Sequence, residues 1–310
     1  MSGLPALPNG TVVTVGTFDG VHLGHQAVIA EVVRRSQAQR RASMLVTFEP
    51  HPLAVVRPEL APRRLTVDGE RSAALAETSL DYLMVLRFDR GLADLPPERF
   101  VEEILLGRCQ MRELVVGHDH GFGRDRSGNL ELLRALGDRH QFSVDPVRQV
   151  TDAGGRVVSS SVIRSAVESG DFEAAASGLG RPYRVAGVVE RGDQRGRTIG
   201  VPTANVIPPP GKLLPPDGVY AVRVEWSGGR ATGMLNQGTR PTIGDGRRLL
   251  EAHLFDFEGD LYGRMIQVEW VRWLRDTRRF GSLSELRAQL ATDAQAARAV
   301  FGAWVPPNVV

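Results

Sequence analysis

The feature that most constrains this chain is a change of pattern near residue 182. Before it, short apolar runs alternate with longer segments whose apolar residues recur at helical spacing. After it, strand-like runs follow one another across turns rich in glycine and proline, with no helical segment between them. Alternation predicts a parallel sheet with helices on both faces, whereas closely spaced strands predict a small antiparallel barrel. We therefore expect two domains, 1–182 and 183–310.

The same pattern predicts where the elements lie. Strands of the first domain are expected at 11–15, 43–48, 82–88, 113–116 and 142–146. Helices of the first domain are expected at 22–37, 68–78, 97–106 and 129–138. Strands of the second domain are expected at 183–190, 218–226, 230–235, 249–255 and 265–273, with a final helix at 284–300. A chain of 310 residues is long enough for two full cores.

Composition excludes several classes of protein. The net charge is +2 and no dense basic run occurs, so a nucleic-acid partner is not indicated. The single cysteine, Cys109, excludes an intrachain disulfide and a cysteine-rich metal site. No apolar run reaches the roughly 20 residues of a membrane span, and we expect no secretory signal. These observations fit a cytoplasmic enzyme, with its oligomeric state left open.

The junction between the first strand and the first helix carries the clearest chemistry. It reads Gly16-Thr17-Phe18-Asp19-Gly20-Val21-His22-Leu23-Gly24-His25. Histidines at i and i+3 share one helix face, and the free N–H groups and dipole of a helix start favour phosphate. An isolated histidine here would be a packed helix-start residue. Two histidines beside two turn glycines favour instead a site that holds nucleotide phosphates.

Three further stretches of the first domain are less specific when each is taken alone. The sequence Thr47-Phe48-Glu49-Pro50-His51-Pro52 fits a proline-stiffened loop. The loop 117–128, with Asp119 among its glycines, fits a solvated turn as well as a binding loop. Serines 159–161 open a helix and can cap it. Free helix N–H groups together with Arg164 would also form an anion site.

A separate motif lies in the second domain. The sequence Gly196-Arg197-Thr198-Ile199-Gly200 precedes Pro202-Thr203-Ala204-Asn205. In an extended segment residues i and i+2 point to the same face, so Thr203 and Asn205 can share one ligand. Both side chains offer hard oxygens suited to Mg²⁺. The tetrapeptide alone also fits a polar strand edge after a turn.

The order and spacing of these motifs resemble the prokaryotic bifunctional riboflavin kinase/FMN adenylyltransferases, also called FAD synthetases. The first domain is similar to that family in its GxFDGxHxGH, TFxPHP and SSSxxR stretches, and the second in its PTAN motif and the strand around Glu251. The similarity runs from about residue 11 to residue 302. His120 stands where the family usually has Phe, and Ser161 where it usually has Thr.

The resemblance implies a fold and an activity. The fold would be an α/β nucleotidyltransferase domain with a Rossmann-like parallel sheet, followed by a β-barrel riboflavin kinase domain with a C-terminal helix. The second domain would convert riboflavin and ATP to FMN, and the first would convert FMN and a second ATP to FAD and pyrophosphate. Mg²⁺ would serve as cofactor, ATP as co-substrate, and riboflavin, FMN and FAD as flavin substrates and products.

The resemblance also implies roles for individual residues. Those carried over as catalytic are His22, His25 and Glu251. Those carried over as nucleotide or phosphate ligands are Gly16, Phe18, Asp19, Gly24, Asp119, Ser160, Ser161, Arg164, Gly196, Thr198, Gly200 and Asn236. Those carried over as magnesium ligands are Thr203 and Asn205.

Two alternatives belong to other classes. The first is a riboflavin kinase whose N-terminal domain is a degenerate scaffold; the intact histidine pair argues against it, while His120 keeps it open. The second is a flavin-binding protein without turnover, against which the intact PTAN motif and Glu251 argue. Product formation from riboflavin and ATP separates the three.

Overall fold

A computed structural model describes residues 7–67, 69–117, 129–192, 196, 199–239 and 248–302. The chain divides into two compact units, Met1–Val162 and Ile163–Val310. This division lies ahead of the domain boundary expected after Pro182, because the helical residues just before Pro182 group with the second unit. The boundary between catalytic domains stays a prediction.

The first unit contains the predicted parallel sheet. Its strands are β1 (Thr11–Val15), β2 (Ala42–Glu49), β3 (Tyr82–Arg87), β4 (Met111–Val116) and β5 (Ser143–Pro146). They pair in parallel in the order β3-β2-β1-β4-β5. Strand β1 is buried along its whole length. The strand order reverses at β1, and in open α/β sheets ligands bind beyond the carboxyl ends of the strands at such a point.

Helices flank this sheet as the alternation predicts. They are α1 (Leu23–Ala38), α2 (Pro52–Val56), α3 (Gly69–Ala76), α4 (Arg90–Ala93), α5 (Pro97–Arg99) with a π-helical continuation over Phe100–Arg108, and α6 (Leu130–His140). A single turn of 3₁₀ helix covers Pro58–Leu60. Helix α1 buries Val28 and Val32 against Val12 and Val115 of the central strands. This packing fixes the start of α1 at the end of β1.

The second unit is the predicted barrel with short helices before it. Helix α7 (Ser160–Glu168) crosses the division and α8 (Phe172–Leu179) follows it. The strands are β6 (Arg184–Glu190), β7 (Ala204–Val206), β8 (Gly218–Trp226), β9 (Gly229–Thr239), β10 (Arg248–Leu254) and β11 (Met265–Arg275). They close antiparallel in the order β10-β7-β6-β11-β8-β9. Helix α9 (Leu283–Phe301) ends the described chain.

Alternate residues of the barrel strands are fully buried, as expected where one face of a strand points into a closed barrel. On β10, Leu250 and Ala252 are buried while the residues between and beside them are partly exposed. The ring of Tyr183 stacks on the buried Trp270, with ring centroids 5.8 Å apart. Lys212, the only lysine of the chain, places its ammonium group 4.7 Å from the Tyr183 ring centroid and is 4% exposed. An aromatic stack and a buried cation thus lie together in the second unit.

Helix α9 packs on the outside of the barrel. Its Ala297 lies in a buried cluster with Ala221 of β8 and Met234 of β9. The Arg275 guanidinium at the end of β11 makes two hydrogen bonds to the Asp293 carboxylate of α9, at 2.9 and 2.6 Å. Asp293 is 3% exposed. This ion pair therefore ties the helix to the barrel at a site largely screened from water.

Replacing Asp293 by Asn tests this attachment. The amide cannot accept two charge-assisted bonds from Arg275, so we expect the free energy of unfolding to fall by about 1–3 kcal/mol. Urea denaturation followed by tryptophan fluorescence measures the change. The matched control is Asp256→Asn, which breaks an exposed ion pair with Arg298 and should have little effect. Equal losses in both variants would contradict a special role for the buried pair.

Candidate active sites

The turn between β1 and α1 is strained and tightly packed. The Gly16 N–H still donates to the Val46 carbonyl, at 3.1 Å, as an extension of the sheet. Phe18, Gly20 and Val21 then adopt positive φ angles of 49°, 88° and 42°. Only glycine adopts such angles without cost. A Cβ on Gly16 would lie 3.1 Å from the Phe18 ring, so this ring folds back over the end of β1.

The two predicted histidines lie together at the start of α1. His22 is the N-cap, and its Nδ1 accepts a hydrogen bond from the His25 N–H at 3.3 Å. The two rings stack, with centroids 3.6 Å apart and planes 17° apart. A Cβ on Gly24 would lie 3.1 Å from His22 Cε1, so the lack of a side chain leaves room for the His22 ring. The expected shared face of the pair is present.

Three polar groups at this helix start have no hydrogen-bond partner among the described residues. The N–H groups of Leu23 and Gly24 make no hydrogen bond within the described chain. The Nδ1 atom of His25 is buried and has no hydrogen-bond partner among the described residues. Burial, and secondarily the neighbouring His22, hold the pKa of His25 well below its usual value, so its imidazole is neutral. Free helix donors beside two imidazoles fit an anion such as phosphate.

Asp19 is buried in the turn and bonded to other segments of the chain. Its buried carboxylate accepts hydrogen bonds from the backbone N–H groups of Leu65 and Thr66, at 3.1 and 3.0 Å. Ser160, the first residue of α7, donates its hydroxyl to the Asp19 carbonyl at 3.0 Å. Asp19 thus joins the turn to two other segments of the first unit, and its role as a nucleotide ligand stays a prediction.

The remaining predicted ligands of the first domain are placed as follows. Ser161 is exposed next to Ser160, and Arg164 lies one turn further along α7. Ser159 accepts a hydrogen bond from the Val162 N–H at 3.3 Å, so it caps α7 as a helix-opening serine can. Asp119 and His120 lie outside the described residues.

The second unit contains a cavity of about 750 Å³ on the outer side of the barrel. Its polar wall comes from the predicted residues Thr203, Asn205, Asn236 and Glu251. Its apolar wall comes from the strand residues Val219 and Leu249, from Phe280, and from Leu286 and Leu290 of α9. A cavity with one apolar side and a few convergent polar groups is the usual form of a small-molecule site.

Strand register brings the polar residues side by side. Glu251 on β10 pairs with Asn205 on β7 and with Asn236 on β9. The Asn236 amide donates to the Glu251 carboxylate at 3.3 Å. Thr203 and Asn205 both line the cavity, as the alternation of an extended segment predicts. The catalytic glutamate expected from the sequence therefore lies between two amide side chains.

Asn205 has the features of a cation ligand. It is 6% exposed, and its Oδ1 atom is buried without a hydrogen-bond partner in the part of the chain that the structure describes. A Cβ on Gly192 would lie 2.4 Å from Asn205 Nδ2, so the chain passes directly over the amide. A buried carbonyl oxygen that lacks a donor fits Mg²⁺, which takes oxygen ligands.

The glycines of the preceding loop also approach the backbone closely. A Cβ on Gly196 would lie 2.2 Å from the Val201 carbonyl, and Gly200 has a φ of 78°. Neither position accepts a larger residue without a shift of the loop. Thr198 lies outside the described residues.

Sequence reasoning missed residues that support these sites. The Nδ1 atom of His253 lies 2.8 Å from the Pro202 carbonyl, beyond the last ladder pair between β10 and β7. His253 follows Glu251 by two positions in a predicted strand, so alternation alone could have placed it on the same face. Thr66 and Arg71, which contact the turn of the first unit, have no such local signal.

The fold and the two candidate sites fit a nucleotide-dependent transferase, with one candidate phosphate site in each unit. One centre is a helix start beyond a parallel sheet, and the other is a carboxylate and amide face beside a barrel. Comparison with known families gives the same division: the FAD synthetase family matches residues 4–162, and the riboflavin kinase family matches residues 179–301. The chain belongs to the family of bifunctional riboflavin kinase/FMN adenylyltransferases.

Relatives that carry this name are similar over nearly their whole length. The protein of Escherichia coli (strain K12) is 40% identical over 298 residues, which are 96% of this chain and 95% of the relative. That of Pseudomonas fluorescens is 40% identical over 94% and 93% of the two chains. That of Bacillus subtilis (strain 168) is 35% identical over 94% and 92%.

A solved structure has the same fold. It is titled as a macrolide-efflux protein from Streptococcus pneumoniae, with 31% identity, a TM-score of 0.83 and coverage of 97% of this chain and 96% of that chain. In the residues described for the present chain, no helix combines the length and the apolar character needed to cross a membrane.

The lowered pKa of His25 has a measurable consequence. We expect its imidazole to stay neutral as the pH falls through 6.5, the ordinary value, whereas the unfolded chain takes up a proton there. The unfolded state then binds more protons, so stability should fall as the pH falls below that value. NMR titration of the imidazole nitrogens measures the first effect, and His25→Gln assigns the signal. A His25 that titrates at its ordinary pKa would contradict the described environment.

Proposed function

We propose that this protein carries out both reactions for which its relatives are named. Its second unit would phosphorylate riboflavin with ATP to give FMN and ADP. Its first unit would transfer AMP from a second ATP to FMN, giving FAD and pyrophosphate. The observation that supports the proposal is that each unit holds one of the two expected sets of side chains: the stacked His22–His25 pair at a helix start, and Glu251 between Asn205 and Asn236 in a cavity.

In the kinase reaction, Glu251 would orient the primary hydroxyl of riboflavin and accept its proton as the oxygen attacks the γ-phosphorus of ATP. The Asn236 amide, which donates to this carboxylate, would hold it in place. The bond from the γ-phosphorus to the bridging oxygen breaks, and ADP leaves. Such a base acts mainly by orienting the nucleophile.

Thr203 and Asn205 would hold Mg²⁺ together with the phosphates of ATP. The buried Oδ1 of Asn205 supports this role, because it needs a cation or a donor to offset its burial. When bound, Mg²⁺ would neutralise charge on the transferred phosphoryl group. His253 would keep the Thr203 end of the short strand β7 against β10 through its contact with the Pro202 carbonyl. The apolar wall around Phe280 and Leu286 suits the flat flavin ring.

In the adenylyltransferase reaction, a phosphate oxygen of FMN would attack the α-phosphorus of ATP as pyrophosphate leaves. The free N–H groups of Leu23 and Gly24 and the imidazoles of His22 and His25 would bind the phosphate oxygens. Catalysis would then rest on positioning and charge stabilisation rather than on a covalent intermediate.

Residues at the start of α7 are further proposed phosphate ligands, on the resemblance to the family. Ser160, Ser161 and Arg164 lie in the first turns of this helix, and the Ser160 hydroxyl is bonded to the Asp19 carbonyl. We keep Asp119 as a proposed nucleotide or flavin ligand on the resemblance alone. We also keep 1–182 and 183–310 as the proposed catalytic domains, and the cytoplasm as the proposed location.

Purified protein given riboflavin, ATP and Mg²⁺ should accumulate FMN first and FAD afterwards. Chromatography of the flavins over time measures both products, and chelation of Mg²⁺ should stop FMN formation. FMN without FAD would leave the kinase with a scaffold domain. Absence of both products from folded protein would overturn the proposal.

Single substitutions should separate the two activities. His25→Ala should abolish FAD formation and leave FMN formation intact, because it removes a phosphate ligand from one centre only. Glu251→Gln should abolish FMN formation from riboflavin, yet allow FAD formation when FMN is supplied. In each variant, the activity that remains shows that the protein is folded. If either change removed both activities from folded protein, the assignment of the centres would be wrong.

A further inference from the structure

A segment outside the proposed site holds the phosphate turn from one side. This bracing segment, residues 64–67 and 69–71, leads into α3. Its Thr66 hydroxyl accepts a hydrogen bond from the Gly20 N–H at 2.9 Å and donates to the Asp19 carboxylate at 3.3 Å. Thr66 is 8% exposed, so these bonds lie away from water. One hydroxyl therefore contacts both the backbone and the buried acid of the turn.

Arg71 of the bracing segment holds the other end of the turn. Its guanidinium donates to the Thr17 carbonyl at 3.0 Å, to the Phe48 carbonyl at 3.1 Å and to the Glu49 carboxylate at 2.9 Å. The residue is 7% exposed. The planar fork of arginine can reach acceptors on two different segments at once. Arg71 thereby joins the residues that follow β1 to the end of β2.

These bonds enclose the strained part of the turn. Thr17 and Gly20 lie on either side of Phe18 and Asp19, and Phe18 and Val21 have positive φ angles of 49° and 42°. Conformations of this kind are strained in residues other than glycine and persist only where the surroundings fix them. The next residue, His22, caps α1. A relaxed turn would therefore move the helix start and the histidine pair.

We propose that Thr66 and Arg71 are positioning residues for adenylyl transfer. They hold residues 17–21 in the strained form that aims the start of α1 and the His22–His25 pair at the nucleotide phosphates. Neither residue needs to touch the substrate. The inference rests on the proposed adenylyltransferase function of this turn and adds to it the residues that set its geometry.

The test at Thr66 uses variants that differ by one hydroxyl. Thr66→Val keeps the volume but leaves the Gly20 N–H without its acceptor, so kcat for FAD formation from FMN and ATP should fall at least tenfold. KM for ATP should change less than kcat, because the loss is one of alignment. Thr66→Ser keeps the hydroxyl and should restore kcat to within about threefold of the parent protein.

A matched control removes a hydroxyl bond elsewhere in the same unit. The Thr78 hydroxyl, just after α3, donates to the Leu75 carbonyl at 2.6 Å and makes no hydrogen bond to residues 17–21. Thr78→Val should leave kcat for FAD formation unchanged. The riboflavin kinase rate of every variant, measured on the same preparation, should also be unchanged because that reaction belongs to the other unit.

Substitutions of Arg71 give a second, independent test of the positioning role. Arg71→Met keeps the length without donors and should lower kcat about a hundredfold. Arg71→Lys keeps the charge and some of the bonds, so its kcat should lie between those of Arg71→Met and the parent. If Thr66→Val does not fold, the kcat of Arg71→Lys tests the positioning role instead. Near-ultraviolet circular dichroism shows whether Arg71→Lys is folded.

The possible results distinguish the positioning role of Thr66 and Arg71 from the adenylyltransferase function on which it rests. Parent protein that makes no FAD would overturn the proposed adenylyltransferase function. Parent protein that makes FAD, with Thr66→Val or Arg71→Lys at the parent's kcat, would overturn the positioning role and leave the function standing. A rise in KM with kcat unchanged would also overturn it, because it would indicate a binding role instead.

Discussion

The cross-strand register of β7, β10 and β9 is the constraint on which the second centre depends. It sets Asn205, Glu251 and Asn236 side by side on the outer face of the barrel. A slip of one residue would turn all three toward the interior, where a carboxylate would have no partner. The closed barrel prevents such a slip, because every strand is paired on both sides. Helix α9, fixed by Arg275 and Asp293, then adds the apolar side of the cavity.

The two proposed centres would bind phosphate by opposite physical means. The first offers donors: backbone N–H groups at a helix start and two imidazoles, which suit an anion directly. The second would offer acceptors, the oxygens of Thr203 and Asn205, which suit phosphate only through a cation that the protein and the phosphate share. The difference follows from the folds, because a parallel α/β sheet presents helix starts at its carboxyl edge and a barrel face presents side chains.

Local periodicity was enough to predict most of this fold. Strands β1 and β8 have the predicted bounds, and the parallel sheet, barrel and final helix are confirmed. Strand β7 was not predicted as a strand, because its three residues follow a proline and are too few to show alternation. Helices α2 and α4 were missed for the same reason, since each is shorter than two turns.

The site could be predicted only where its residues are neighbours in sequence or share a strand. His22 with His25, and Thr203 with Asn205, follow from helix and strand spacing. The contact of Asp19 with Leu65 and Thr66 joins segments far apart in the chain, and no periodicity encodes it. The contacts of Arg71 with the Thr17 and Phe48 carbonyls also join segments far apart in the chain. Such contacts depend on how the crossover after β2 packs, which a single sequence does not specify.

Lys212 gives the molecule an unusual chemical surface. Every other basic side chain apart from histidine is arginine, and the one lysine is buried against the Tyr183 ring. A reagent that acylates side-chain amines would thus find no target on the folded surface. Because Lys212 is buried, its reaction would require local opening of the second unit. The rate at which Lys212 is acylated would therefore report how often the kinase unit unfolds locally.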